Sequence, residues 1–136
     1  MAEKLYVEIL TPCGDVFCGE ADDIVAPGEL GELNFLPEHA SFLTKLKFGK
    51  MSYLKDGQRS ALIVSEGFAE VVDNKVTILV DYAERPEEID LDRAKAALKR
   101  AEERGRQVGR EDIDFDRIAG ALYRALVRIE LVGSVE

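Results

Sequence analysis

Apolar and polar residues alternate in short runs through the first 85 residues of the chain. In the first run Leu5, Val7 and Ile9 alternate with polar or aromatic neighbours, and comparable runs follow at even spacing as far as Val80. A period of two gives a strand one side for a core and one side for solvent. The pattern predicts an antiparallel β-sandwich or barrel over residues 1–85.

Turn residues separate these runs. The dipeptides Asp56-Gly57 and Asp73-Asn74 each stand between two apolar runs, where they favour a tight hairpin turn. The segment from Gly28 to His39 is rich in glycine and proline, and we predict that it is a long loop. Pro86 is predicted to end the β-rich part, because proline cannot extend a strand ladder.

After Pro86 the apolar period changes to three and four residues, which is typical of amphipathic helices. The apolar stripes are Leu91, Ala94, Leu98 and Ala101 in the first segment, and Phe115, Ile118, Leu122, Ala125, Ile129 and Val132 in the second. Each stripe is narrow, like the seam between two packed helices. We therefore predict that the sandwich is followed by a C-terminal antiparallel two-helix hairpin over residues 87–136.

The two helical segments open with related pentapeptides. The sequence IDLDR at residues 89–93 recurs 24 residues later as IDFDR at residues 113–117. Asp90 and Asp114 are predicted N-caps, since a short carboxylate accepts hydrogen bonds from the free N–H groups of a first turn. The first helix is predicted to end near Gly105, because glycine weakens a helix by about 1 kcal/mol relative to alanine.

Charge and composition narrow the class of function. The net charge of −9 argues against nonspecific binding to nucleic acid or anionic lipid. Eight of the ten arginines lie in residues 87–136, so the charge is unevenly distributed. No apolar run reaches the roughly 20 residues that a membrane-spanning helix needs, and the first residues lack the apolar core of a signal peptide. A cytosolic chain without direct membrane insertion is expected.

Few residues could support covalent chemistry or bind a metal. Cys13 and Cys18 are the only cysteines, and in a cytosolic chain we expect free thiols rather than a disulfide or a metal site. His39 is the only histidine, and neither a second base nor an obviously paired nucleophile accompanies it in the sequence. The sequence therefore predicts no catalytic residues.

Three segments carry motifs that are specific when taken together. They are GELNFLPEH at residues 31–39 with FLT at 42–44, SEGFAEV at 65–71 with VTIL at 76–79, and IDLDRA at 89–94. In order and spacing they resemble the epsilon subunits of the bacterial-type rotary (F-type) ATP synthase, along nearly the whole chain. The chain departs from that family at Asn34 and Glu38, where glycine is usual, and at Gly105, where leucine is more usual. Because glutamate adopts left-handed backbone less readily than glycine, the departure at Glu38 bears on the shape of the loop.

The resemblance implies a non-catalytic central-stalk subunit, peripheral on the cytoplasmic face of the bacterial plasma membrane. Its sandwich would bind the gamma subunit and the membrane rotor ring of c subunits, coupling proton-driven rotation to ATP synthesis. Its helical arm would restrain ATP hydrolysis when extended into the catalytic head of alpha and beta subunits. The resemblance also implies that Glu32 and His39 contact the rotor ring.

The same resemblance implies a regulatory ATP site, although no cofactor is required. Its residues would be Glu84, Ile89, Asp90, Arg93, Ala94, Arg100, Arg124 and Arg128. In an antiparallel hairpin Arg93 should lie near Arg128, and Arg100 near Arg124. Such clustered guanidinium groups favour a bound polyphosphate. The alternative is that the arginines pair with acidic residues at helical spacing, such as Glu88, Glu102 and Glu103.

Two further hypotheses of function stay open. In one, the chain is an ATP-sensing latch whose main output is nucleotide-dependent folding of the arm. In the other, it is a purely structural coupler whose arm no longer inhibits, which Gly105 and Gly109 favour because they soften the first helix. An independent small enzyme is the third alternative.

Overall fold

A computed structural model describes residues 3–106 and 115–135 of the chain. The chain divides into two compact units, Met1–Arg85 and Pro86–Glu136. The described part of the first unit is built from strands, and that of the second from helices.

Ten strands, β1 to β10, make up the described part of the first unit. Their bounds are Leu5–Thr11, Gly14–Ala21, Asp23–Gly28, Gly31–Phe35, Phe42–Leu46, Gly49–Lys55, Gln58–Val64, Gly67–Val72, Lys75–Val80 and Ala83–Glu84. They hydrogen-bond in the order β10-β7-β6-β3-β5-β8-β9-β1-β2, with β4 beside β3. Among these strands all neighbours are antiparallel except β1 and β9, which run parallel. The predicted antiparallel β-sandwich is confirmed.

The inward positions of these strands form one apolar core. Leu5, Val7 and Ile9 are fully buried, as their alternation predicts. They join a cluster that draws apolar side chains from most of the other strands, among them Ile24, Phe35, Met51, Leu62, Val71 and Ile78. Burying a side chain of this size contributes about 1.5–3 kcal/mol, so the core is the main source of stability in this unit.

Both predicted hairpin turns are confirmed. The φ angles are 52° and 79° at Asp56 and Gly57, and 49° and 62° at Asp73 and Asn74. Positive φ at both central residues is the type I′ geometry, whose twist matches that of the flanking strands.

The predicted long loop from Gly28 to His39 is wrong, because residues 31–35 form β4 and pair with β3. The sequence did not reveal this strand, because only Phe35 of β4 is fully buried and the segment therefore has almost no apolar alternation. The two nearby glycines made a loop the more natural prediction. Gly28 allows the close turn between β3 and β4, since a Cβ atom there would lie 2.6 Å from the carbonyl oxygen of Gly31.

The second unit contains a short 3₁₀ turn and two helices. The turn is Pro86–Glu88, α1 is Leu91–Gly105 and α2 is Phe115–Val135. Asp90 is the N-cap of α1 and accepts a hydrogen bond of 3.0 Å from the backbone N–H of Arg93, which confirms this predicted cap. The other predicted cap, Asp114, lies outside the described residues.

The two helices pack along the predicted stripes. Their buried residues are Ala94, Ala101, Ala125 and Leu131. Leu131 is an addition to the predicted stripe. A Cβ atom at Gly105 would lie 4.0 Å from the side chain of Ile118, so the end of α1 lies beside the start of α2. The predicted antiparallel hairpin and the predicted end of α1 are therefore confirmed. Neither described helix has the length and apolar character needed to cross a membrane.

Candidate interaction surfaces

The β3–β4 hairpin and the loop after it carry both predicted rotor-ring residues. Glu32 is an exposed residue of β4, and His39 lies half-buried in the loop between β4 and β5. At the tip of the hairpin Leu30 is fully exposed, and Leu36 in the loop is also exposed. Exposed leucines near a carboxylate are features that suit a contact with another protein.

An aromatic cluster holds the His39 ring. The ring meets Phe35 edge-on, with a centroid distance of 5.3 Å, and lies 5.9 Å from the ring of Phe42. Its Nδ1 atom is 2.7 Å from the carbonyl oxygen of Ala40, to which the Nδ1–H tautomer donates. Because Phe35 belongs to the buried core, this cluster ties the loop to the sandwich.

The loop has left-handed backbone at Glu38, where φ is 66°. For a residue with a side chain this conformation costs about 1–2 kcal/mol. The N–H of Glu38 donates a hydrogen bond of 2.6 Å to Oδ1 of Asn74, which opposes that cost. Asn34, the other departure from the family pattern in this segment, is an ordinary residue of β4.

The outer face of β8, β9 and β1 carries an apolar row that was not predicted from the sequence. Phe68, Leu79 and Leu10 form this row across β8, β9 and β1, and Lys45 of β5 lies next to Phe68. Phe68 and Leu79 are 48% and 50% exposed, and Leu43 on the same strand as Lys45 is 68% exposed. The available signal was an apolar residue at an outward position of each strand, out of phase with the core residues.

A groove of about 790 Å³ is lined in part by the residues of this row. Its charged lining residues are Lys45, Lys47, Glu29, Glu66 and Asp81. Gly67 also lines the groove, and it has no room for a side chain. A Cβ atom there would overlap the carbonyl oxygen of Leu79 and lie 2.9 Å from Val80 Cγ1.

Tyr6 and Cys18 meet on the β1–β2 hairpin, with the hydroxyl oxygen 2.9 Å from the sulfur. This hydrogen bond is the main reason why the pKa of Tyr6 is raised above 10.0, and the negative charges of Glu8 and Asp15 raise it further. Cys18 and Cys13 are both exposed thiols.

The predicted nucleotide residues lie on several elements. Glu84 is on β10 of the first unit, and in the second unit Ile89 and Asp90 precede α1, Arg93, Ala94 and Arg100 are on α1, and Arg124 and Arg128 are on α2. Ala94 is buried in the helix seam, and the Asp90 carboxylate caps α1. Both residues therefore have structural uses of their own.

Three of the predicted arginines are exposed: Arg93, Arg100 and Arg124. Across residues 3–106 and 115–135, no ion pair joins any of these three to a carboxylate. A Cβ atom at Gly120 would lie 3.2 Å from Arg124 Nη1, so that guanidinium lies along its own helix. The predicted approach of the arginines across the hairpin stays a prediction.

Known families match both units of this two-part architecture. The beta-sandwich domain of the ATP synthase delta/epsilon chain matches residues 4–86, and the long alpha-helix domain of the same chain matches residues 87–133. The chain therefore belongs to the ATP synthase delta/epsilon chain family.

Curated relatives are similar along nearly the whole chain. An ATP synthase epsilon chain of Geotalea daltonii is 51% identical over 134 residues, covering 98% of this chain and 97% of the relative. An ATP synthase epsilon chain of Thermodesulfovibrio yellowstonii is 51% identical over 133 residues, covering 96% of this chain and 95% of the relative. The epsilon chain is a non-catalytic subunit of ATP synthase, so the prediction of a non-catalytic protein is confirmed.

Solved structures share the fold at lower identity. A chain in the cryo-EM structure of the Euglena gracilis mitochondrial ATP synthase, comprising OSCP, F1 and the c-ring, superposes with a TM-score of 0.71 at 20% identity. The match covers 97% of this chain and 79% of that one. The likeness extends the family assignment to the three-dimensional fold.

Proposed function

We propose that this chain is a coupling and regulatory subunit in the central stalk of ATP synthase, at the cytoplasmic face of the bacterial plasma membrane. Its sandwich binds the gamma subunit and the rotor ring of c subunits, and its arm restrains ATP hydrolysis at the catalytic head of alpha and beta subunits. Family membership supports the proposal, as does a structural neighbour from a complex that contains F1 and a c-ring.

The observation that carries the proposal is the exposed apolar row on the sandwich. Phe68 and Leu79 are neighbours on adjacent strands, and each leaves about half of its surface exposed. Exposed apolar side chains that form a contiguous patch mark a surface for another protein. We propose that the gamma subunit binds to this row.

A charge placed in this row tests the assignment. Leu79→Asp should weaken the affinity for gamma at least about tenfold, because it buries a carboxylate in an apolar contact. Leu126→Asp is a matched control, since Leu126 is 47% exposed but lies on α2. The affinity of each full-length variant for gamma is measured by titration. Equal affinities for the two variants would contradict the assignment.

The rotor-ring contact is assigned to the β3–β4 hairpin and the loop after it. In the assembled complex, Glu32→Lys should lower the protons pumped per ATP hydrolysed, because it reverses the charge of an exposed side chain at this surface. Glu20→Lys makes the same change on β2 and should leave the ratio unchanged. A ratio unaffected by the Glu32 substitution would argue against this contact.

The regulatory role belongs to the arm, whose α2 helix exposes Tyr123 and Leu126. A chain that ends at Arg85 keeps the sandwich unit and lacks the arm. In the assembled complex this truncation should raise ATP hydrolysis while coupling is retained. Unchanged hydrolysis would eliminate the inhibitory role and leave the purely structural coupler.

A second candidate function is ATP sensing by the arm. It is favoured by three exposed arginines, Arg93, Arg100 and Arg124, that have no ion-pair partner among the described residues. Guanidinium groups without carboxylate partners are suited to bind phosphate oxygens.

Calorimetric titration of the full chain with ATP, with and without magnesium, tests this function. Saturable one-site binding that is lost in Arg93→Ala and Arg128→Ala, and kept in Arg104→Ala, supports a nucleotide-controlled latch. Arg104 is the matched control because it is an exposed arginine of α1 outside the proposed set. No heat up to millimolar ATP would reject the latch and leave the coupling role intact.

A further inference from the structure

Two hairpins of the sandwich use the same turn geometry with different dipeptides. The β6–β7 turn is Asp56-Gly57, and the β8–β9 turn is Asp73-Asn74, and all four residues have positive φ. The β6–β7 turn has glycine at its second central position, and Asp-Gly is among the pairs that type I′ turns favour. The turn by itself therefore gives no reason for a side chain at Asn74.

The side chain and backbone of Asn74 join three segments of the chain. Its Oδ1 accepts the 2.6 Å hydrogen bond from the N–H of Glu38, and its Nδ2 donates one of 3.0 Å to Oε2 of Glu3. Its carbonyl oxygen accepts one of 2.8 Å from the N–H of Tyr6. The turn is thereby connected to the start of the chain and to the β4–β5 loop.

The bond to Glu38 acts at the strained point of that loop. Left-handed backbone is unfavourable for glutamate, and the hydrogen bond that its N–H donates to Asn74 offsets part of that cost. On its other side the loop is held by the His39 ring, which packs against Phe35 and Phe42. The loop between β4 and β5 is thus fixed at two adjacent residues, one by hydrogen bonding and one by aromatic packing.

We propose that Asn74 is a positioning residue that clasps the β4–β5 loop through Glu38 and sets the presentation of that loop to its partner. The functional half of this inference rests on the proposed role of the loop at the rotor ring. The structural half stands on the contacts of Asn74 alone.

Asn74→Gly tests the clasp without sacrificing the turn, because it creates the Asp-Gly pair that the chain already uses at residues 56–57. In the full-length chain, amide hydrogen exchange at Glu38 should become about fivefold faster, as expected for the loss of one net hydrogen bond. Gly57→Asn is the matched control, since it places asparagine in the equivalent turn and should leave Glu38 unchanged. Unchanged exchange at Glu38 in Asn74→Gly would overturn the proposal.

Rescue separates the clasp from a general effect of substitution. Asn74→Asp retains an oxygen acceptor for the Glu38 N–H, and Glu3→Gln in the same chain removes the carboxylate that would repel it. The double variant should restore slow exchange at Glu38. Fast exchange in the double variant would contradict a clasp based on the acceptor oxygen.

The effect of Asn74 on coupling is measured in the assembled complex. Asn74→Gly should lower the protons pumped per ATP hydrolysed, and the double variant should restore the ratio. If Glu32→Lys lowers the ratio but Asn74→Gly does not, the positioning role is overturned while the proposed function stands. If Glu32→Lys also has no effect, the rotor-ring assignment fails, and the exchange rate at Glu38 still decides the clasp.

Discussion

Replacing Gly67 with alanine is expected to destabilise the sandwich strongly. Gly67 begins β8 and is paired with Val80 of β9 and Leu46 of β5. An added methyl group would overlap the carbonyl oxygen of Leu79 and would lie 2.9 Å from Val80 Cγ1. Because the carbonyl is a backbone group, it cannot rotate away as a flexible side chain could, so β8 and β9 must separate.

The magnitude follows from two contributions. Overpacking a well-packed site costs about 1–3 kcal/mol. A ladder hydrogen bond broken by the separation leaves a buried group unpaired, at a cost of about 1–3 kcal/mol. The two contributions sum to a loss of about 2–6 kcal/mol in the free energy of unfolding. Even the lower end of this range corresponds to roughly 8–16 °C in Tm for a unit of this size.

Urea and thermal unfolding of the full chain measure this loss. Tyrosine fluorescence reports mainly on the sandwich, because three of the four tyrosines lie in residues 1–85. Gly19→Ala is the matched control on β2, since a Cβ atom there would meet Phe17 Cζ at an ordinary 3.4 Å. The control should be neutral or slightly stabilising. The steric reasoning is refuted if the two variants differ by less than about 1 kcal/mol.

Three smaller perturbations probe the helices and the β1–β2 hairpin. Asp90→Ala removes the N-cap of α1 and should cost about 1 kcal/mol of arm stability, seen as lower helix content by circular dichroism; unchanged helicity would contradict the cap. Gly105→Ala should stabilise α1 by up to about 1 kcal/mol in the same assay, because its methyl group would meet Ile118 at an ordinary 4.0 Å, and a loss of helicity would contradict this fit. Cys18→Ala should lower the pKa of Tyr6 in an ultraviolet titration, since the hydrogen bond to Cys18 is the main cause that raises it. The pKa of Tyr6 is higher in the folded state than in the unfolded state. The stabilisation from its hydrogen bond to Cys18 is therefore complete below about pH 10 and is lost as the pH rises through the folded-state pKa. A titration of Tyr6 that the substitution leaves unchanged would refute the assignment.

Local physical rules account for the elements that the sequence predicted. The alternation around Leu5, the Asp56-Gly57 turn and the Asp90 cap each depend on residues adjacent in the chain. The end of α1 at Gly105 belongs to the same class, because helix propensity is a local property. The family motifs added the order of the two units, and the predicted arginine contacts across the hairpin await a test.

Contacts between residues far apart in sequence decided the rest. β4 forms because a short segment pairs with β3 and buries Phe35. Its five residues alternate too weakly for the strand to be predicted from sequence. The exposed row of Phe68 and Leu79 exists only once β8 and β9 are in register. The sequence by itself determined the sandwich followed by a helical hairpin, because periodicity, turn chemistry and helix caps depend on residues that are close together in the chain. Only the tertiary structure decided which surfaces are exposed and how Asn74 reaches Glu38, because strand register and burial depend on the whole fold.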